Sequence, residues 1–198
     1  YHSIDENKIE RNAELLRKAI EKDPMNPYLN YQLGSTLFAK TDNAESLKYF
    51  LNAVECNTRM DVLPENIKEK IFIKISQYYL QRDLFFEAKK YNEIALKINR
   101  NNPISIYISA AILFMEKRYN ESLTVLKRLI DLLLKENKLK IDLHQIYVDL
   151  GNNYYILEDY LNAFITFQKA LEIKNDSYVA CFNLGNLLLT IGHKEDAL

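Results

Sequence analysis

Three histidines, two cysteines and one adjacent pair of carboxylates are the residues here that could do chemistry if they met. His2, His144 and His193 are far apart in the chain and form no HExxH. Cys56 and Cys181 form no CxxC, so neither set has the spacing of a zinc site. His144 opens a predicted helix and reads as a surface or capping residue. The cysteines read as small, half-buried, reduced thiols of a cytosolic protein. Glu158 and Asp159 fall in a predicted turn, where solvent is their expected surroundings. Catalytic carboxylate pairs need a controlled separation and a pocket. Asn120 in NES and Asn175 in NDS match the glycosylation acceptor pattern, which arises easily by chance. There is no glycine-rich phosphate loop. The sequence therefore points to no catalytic residue, no metal site and no cofactor.

Composition narrows the remaining classes. The chain has 198 residues, 48% of them hydrophobic, which is enough for a substantial core. A net charge of −1 argues against a general nucleic-acid binder, which needs a basic face. Lys127, Arg128, Lys135, Lys138 and Lys140 lie close in sequence, but Asp131 and Glu136 are mixed in, as on a solvated helix face. The opening YHSIDENKIERN is polar, is not a secretory leader and lacks Met, so it reads as an internal start. A cytoplasmic location follows as the expectation. The most apolar run, Ile104 to Met115, is 12 residues long, whereas a membrane span needs about 20. It reads as a helix buried on most sides.

Glycine sets the period. Gly34, Gly151 and Gly185 each follow Leu, in YQLGSTLF, VDLGNNYY and FNLGNLLL. Gly151 and Gly185 are 34 residues apart, and each glycine is followed 12 residues later by Ser46, Ala163 or Ala197. Ser76 with Ala88 and Ala110 with Ser122 repeat the spacing without glycine. Five units result: 27–60, 69–102, 103–136, 144–177 and a shorter 178–198, with insertions at 61–68 and 137–143. Residues 1–26 hold the second half of a preceding unit. Pro24, Pro27 and Pro103 fall at unit junctions and Pro64 in the first insertion, so no proline interrupts a predicted helix. Each unit reads as helix, turn, helix, with turns at KTDN, QRDL, EKRYN and LEDY. The insertions are expected to lengthen helices by about two turns. Counting places from the start of a unit, the eighth holds Gly34, Ser76, Ala110, Gly151 or Gly185, and the twentieth Ser46, Ala88, Ser122, Ala163 or Ala197. All are small, as two antiparallel helices in close approach require. The helix penalty of glycine is then offset by contacts that a larger residue would prevent.

This pattern resembles the tetratricopeptide repeat, whose motif is W-x2-L-G-x2-Y, then A, F and P. NYQLGSTL, YVDLGNNY and CFNLGNLL carry it, and the resemblance covers essentially the whole chain. Asn30, Phe72, Ile106, Tyr147 and Cys181 stand where the family has Trp. The resemblance implies an all-α, right-handed α-solenoid of antiparallel helix pairs, forming a single array over 1–198. More finely, Tyr1, His2, Glu10, Arg11, Asn12, Leu15, Leu16, Asp23, Pro24, Asn26 and Pro27 are similar to the segment after the catalytic domain of some bacterial family 2 glycosyltransferases. The Asn-, Ile- and Lys-rich composition suits an AT-rich bacterial genome.

In such arrays the first helix of each unit lines the inner face, where function lies. The family's inward places imply a groove of Tyr28, Tyr31, Gln32, Ser35 and Phe38, then Lys70, Ile73, Lys74, Gln77 and Gln81. Tyr107, Ile108, Ala111, Phe114 and Met115 follow, though Tyr107, Phe114 and Met115 also read as packing between repeats. Gln145, Val148, Asp149, Asn152 and Tyr155, then Phe182, Asn183, Asn186 and Thr190, complete it. The fifth places hold Tyr31, Ile73, Tyr107, Val148 and Phe182, none of them Lys, so the carboxylate clamp of some family members is not expected. An aromatic, amide-lined groove suits an extended or helical protein segment. The expected function is a non-catalytic protein-interaction scaffold. The alternative is an accessory C-terminal region of a family 2 glycosyltransferase that positions acceptor, with its catalytic domain upstream. Self-association through an exposed apolar C-terminal end is a further expectation.

Overall fold

The computed structural model describes residues 6–39, 44–136 and 142–195. Tyr1, His2, the KTDN turn, Lys138, Lys140, Ala197 and Leu198 lie outside the described residues, as does the side chain of His193. The described residues form ten helices in two compact units, Tyr1–Arg100 and Asn101–Leu198. Unit 1 holds α1 (Glu6–Lys22), α2 (Pro27–Leu37), α3 (Ala44–Met60), α4 (Glu65–Leu80) and α5 (Phe85–Ile98). Unit 2 holds α6 (Pro103–Met115), α7 (Tyr119–Glu136), α8 (Leu143–Ile156), α9 (Tyr160–Ile173) and α10 (Tyr178–Glu195). Helices pack chiefly on their chain neighbours, α2 on α3, α4 on α5, α6 on α7 and α8 on α9. This is the all-α, helix-pair architecture of an α-solenoid.

Local chemistry starts and stops these helices. Asn26 and Asn102 cap α2 and α6 in the same way: each side-chain carbonyl accepts two backbone N–H groups, and Pro occupies the first turn. Asp142 and Asp159 cap α8 and α9. Asp83, Lys117 and Glu158 all stand at the fifteenth place, and all take left-handed backbone, with φ of 58°, 61° and 60°. The next residue's N–H in each case reaches back to a carbonyl five residues earlier, Leu84 to Tyr79, Arg118 to Leu113 and Asp159 to Tyr154. This is the Schellman closure, usually built on glycine. Glu158 and Asp159 therefore have structural work, one as the left-handed residue and the other as a cap. The first insertion differs from its expected form. Residues 61–64 form a loop, Asp61 has φ 45°, and only Glu65–Lys68 adds a turn, at the start of α4.

Packing within pairs depends on the eighth and twentieth places. Gly34 lies against the buried Phe50 ring and Gly151 against that of Phe167. A methyl group at Gly151 would stand 2.4 Å from Phe167, and one at Gly34 would stand 2.9 Å from Phe50. In the other pairs serine exploits the closeness. Ser76 Oγ donates to the Ala88 carbonyl at 2.7 Å, and Ser122 Oγ donates to the Ala110 carbonyl at 3.0 Å. Gly185 differs: a methyl group there would meet no described atom within 4 Å.

Two substitution tests follow. Gly151→Ala is expected to lower stability by about 1–3 kcal/mol through overpacking, whereas Gly185→Ala gains up to about 1 kcal/mol from helix propensity. Denaturant unfolding of both variants checks the pair. Lys117→Gly is expected to raise stability by about 0.5–1 kcal/mol by relieving left-handed strain; an unchanged or lower midpoint would contradict that.

Candidate functional site

The first-helix face of unit 1 combines aromatics with the Lys74 cation. Tyr28 is 47% exposed, and its ring centroid is 6.0 Å from that of Tyr31. Tyr28, Tyr31 and Gln32 on α2, with Asn12, Leu15 and Leu16 on α1, line an open pocket of about 500 Å³. Leu15 is 61% exposed. Counted back from Pro27, Asn12 and Leu16 stand at the twentieth and twenty-fourth places of the preceding unit. In the complete pairs a first helix covers those places, as Gly34 covers Phe50 and Ser76 reaches Ala88. The contribution of α1 was not foreseen, because the sequence-based groove drew on first helices alone.

Further along, Phe38 packs beside Phe50 and carries the Lys74 ammonium 4.2 Å above its ring. Burial lowers the Lys74 pKa. Gln77, one turn on, has a buried side-chain carbonyl with no hydrogen-bond partner among the described residues. Ile73, expected in the groove, belongs instead to the core, as do Ile108 and Val148 in unit 2. Their side chains follow the buried stripe of each helix, inward of the groove.

The first-helix face of unit 2 is laced by polar bridges. Tyr107 on α6 donates its hydroxyl to Asp149 Oδ2 on α8 at 2.5 Å. Gln145 Nε2 donates to Asp149 Oδ1 at 3.0 Å. Between α8 and α10, Asn183 Nδ2 donates to Asn152 Oδ1 at 2.8 Å. Tyr155 Oη lies 3.0 Å from Thr190 Oγ1, whose own proton goes to the Asn186 carbonyl at 2.8 Å. Burial pushes both the Asp149 carboxyl and the Tyr107 hydroxyl up in pKa. Phe182, 55% exposed, stacks on Tyr178, and Asn186 is exposed beside it. Phe114 meets Tyr119 edge-on, while Met115 is exposed.

Among the described residues, those that could do chemistry do not converge. His144 is buried and its Nε2 lies 2.7 Å from Ser177 Oγ, so it is neither a surface nor a capping residue. Its burial escapes the sequence because Ser177 lies 33 residues away. Cys56 is buried and Cys181 exposed, both free, rather than both half-buried. Among the described residues, no three His, Cys, Asp or Glu side chains are placed to hold a metal ion. No described helix is long and apolar enough to cross a membrane.

Residues 144–177, the α8–α9 pair with its flanks, match the family model of the tetratricopeptide repeat. The fold is that of tetratricopeptide repeats. Solved structures that share it include YrrB, described as a TPR protein with an unusual peptide-binding site. It has 18% identity and a TM-score of 0.69, over 89% of this chain and 83% of that one. BtubC from P. vanneervenii matches at 16% identity and a TM-score of 0.73, over 94% of this chain and 82% of that one. The apo form of RapI matches at 20% and 0.73, over 86% and 66%. Identities this low establish the repeat fold alone. No curated protein sequence matches the chain. These neighbours lend no support to a glycosyltransferase association.

The repeat's internal contacts yield one test here. Ser177 Oγ serves both the His144 ring and the Ala180 N–H at the start of α10. Ser177→Ala is expected to cost about 1–3 kcal/mol, because a buried ring nitrogen and a helix N–H lose their partner together. Thermal unfolding measures this, and a shift below about 0.5 kcal/mol would contradict it.

Proposed function

We propose that the chain is a non-catalytic interaction scaffold whose first-helix faces hold a segment of another protein. The observation that carries this is the open pocket between α1 and α2, lined by Leu15, Leu16, Tyr28, Tyr31 and Gln32. Apolar walls with a tyrosine pair and two amides, Asn12 and Gln32, suit a partner gripped by apolar contact and oriented by a few hydrogen bonds. A pocket lined by aromatic rings and amides suits an extended or helical segment. The likeness of fold to YrrB, a TPR protein with a peptide-binding site, supports a peptide or protein partner.

Panning a phage-displayed library of random 16-residue peptides against the full chain tests this reading. Selected peptides are expected to bind less tightly to Leu15→Glu or Tyr28→Ala, by roughly tenfold or more, as at other interface anchors. Both side chains are largely exposed, so circular dichroism and melting temperature should stay near those of the wild type. Failure to recover any peptide, or equal binding by both variants, would overturn the proposal.

A further inference from the structure

The bridges on the first-helix face of unit 2 are unequal. Asn152 with Asn183, and Tyr155 with Thr190, join α8 to α10 through neutral groups. Tyr107 with Asp149 joins α6 to α8 through a carboxylate. The neutral bridges show that stitching first helices together requires no charge. A partly buried carboxylate carries a desolvation cost that an amide in its place would largely avoid.

Nothing among the described residues neutralises that carboxylate. Its two hydrogen-bond donors, the Tyr107 hydroxyl and the Gln145 amide, are both neutral. No Lys or Arg among the described residues pairs with it. Each carboxylate oxygen accepts one hydrogen bond there, and each has capacity for another. Asp149 is only partly buried, and the side chains bonded to its carboxylate are the neutral Tyr107 and Gln145. Such a group attracts one kind of ligand atom above others, a donor that carries positive charge.

We infer that Asp149 is the recognition point for a basic side chain, Arg or Lys, of the segment bound on the first-helix face of unit 2. The inference rests on the first-helix faces being the binding surface. Asp149 accepts the ammonium or guanidinium through its free lone pairs while Tyr107 and Gln145 hold the carboxylate in place. A bound cation then recovers the cost of keeping that carboxylate half-buried, which favours basic segments over neutral ones of equal shape.

Asp149→Asn separates recognition from stitching. Asparagine is nearly the same shape and can still accept the Tyr107 hydroxyl, so the helix bridge persists while the charge is lost. Burial raises the Asp149 pKa, so holding the carboxylate in the fold carries a desolvation cost that asparagine does not. The variant's melting temperature is accordingly expected to equal or exceed that of the wild type. The 16-residue library is panned against wild type and Asp149→Asn. Wild type is expected to select peptides with one fixed Arg or Lys. Replacing it by neutral citrulline or norleucine is expected to weaken binding by roughly tenfold, and to make no difference on Asp149→Asn. The citrulline comparison on wild type stands whether or not the variant folds. Selected peptides with no basic residue, or equal binding of the citrulline form, would overturn the inference and leave the scaffold reading intact. A variant that melts lower and loses affinity equally for both peptide forms would assign Asp149 a structural role and overturn it too. Recovery of no peptide would overturn both readings.

Discussion

The architecture depends on how closely the two helices of a pair approach at their eighth and twentieth places. At Gly34 and Gly151, the ring at the twenty-fourth place lies where a Cβ would be, as Phe167 does at Gly151. At Ser76 and Ser122, the helices are close enough for the hydroxyl to reach a carbonyl on the other backbone. Neither arrangement tolerates bulk. Once this distance is set, the remaining core follows. Phe50 and Ala53 meet Leu63, Ile71 and Ile75 in unit 1, while Ala163 and Phe167 meet Leu187 in unit 2.

The same constraint shapes the first-helix face, where we propose that a partner binds. A first helix held tightly by its second helix directs its remaining side chains away from the pair. On α2 these are Tyr28, Tyr31 and Gln32; on α8 they are Gln145, Asp149, Asn152 and Tyr155. Some of that polarity is spent joining one first helix to the next, as Asn152 and Asn183 do. What remains is a surface of rings and amides with isolated charges, Lys74 above Phe38 in unit 1 and Asp149 beside Tyr107 in unit 2. On the proposed reading, such charges contribute more to partner choice than to stability.

Much of the fold was legible because it is periodic. Leu-Gly pairs, small residues 12 places apart and junction prolines are local marks, and each recurs. The turns were legible as turns, but their left-handed residue was not, since Asp83, Lys117 and Glu158 share no chemistry beyond their place. The candidate site was less legible. Tyr107 and Asp149 are 42 residues apart and His144 and Ser177 are 33 apart, so their pairing depends on how helices of successive repeats align. Leu15 belongs to a second helix, and its exposure depends on what does or does not pack over α1. Ile73, Ile108 and Val148 show the limit of assigning inward places from a family pattern: one step around a helix moves a side chain from groove to core.

The most direct test of the account is chemical-shift mapping of the full chain with a selected peptide. The account predicts the largest shifts on first-helix faces and their flanks, at Leu15, Tyr28, Tyr31, Asn152 or Asn183. Shifts confined to second-helix surfaces, around the exposed Phe86 or Leu161, would contradict it.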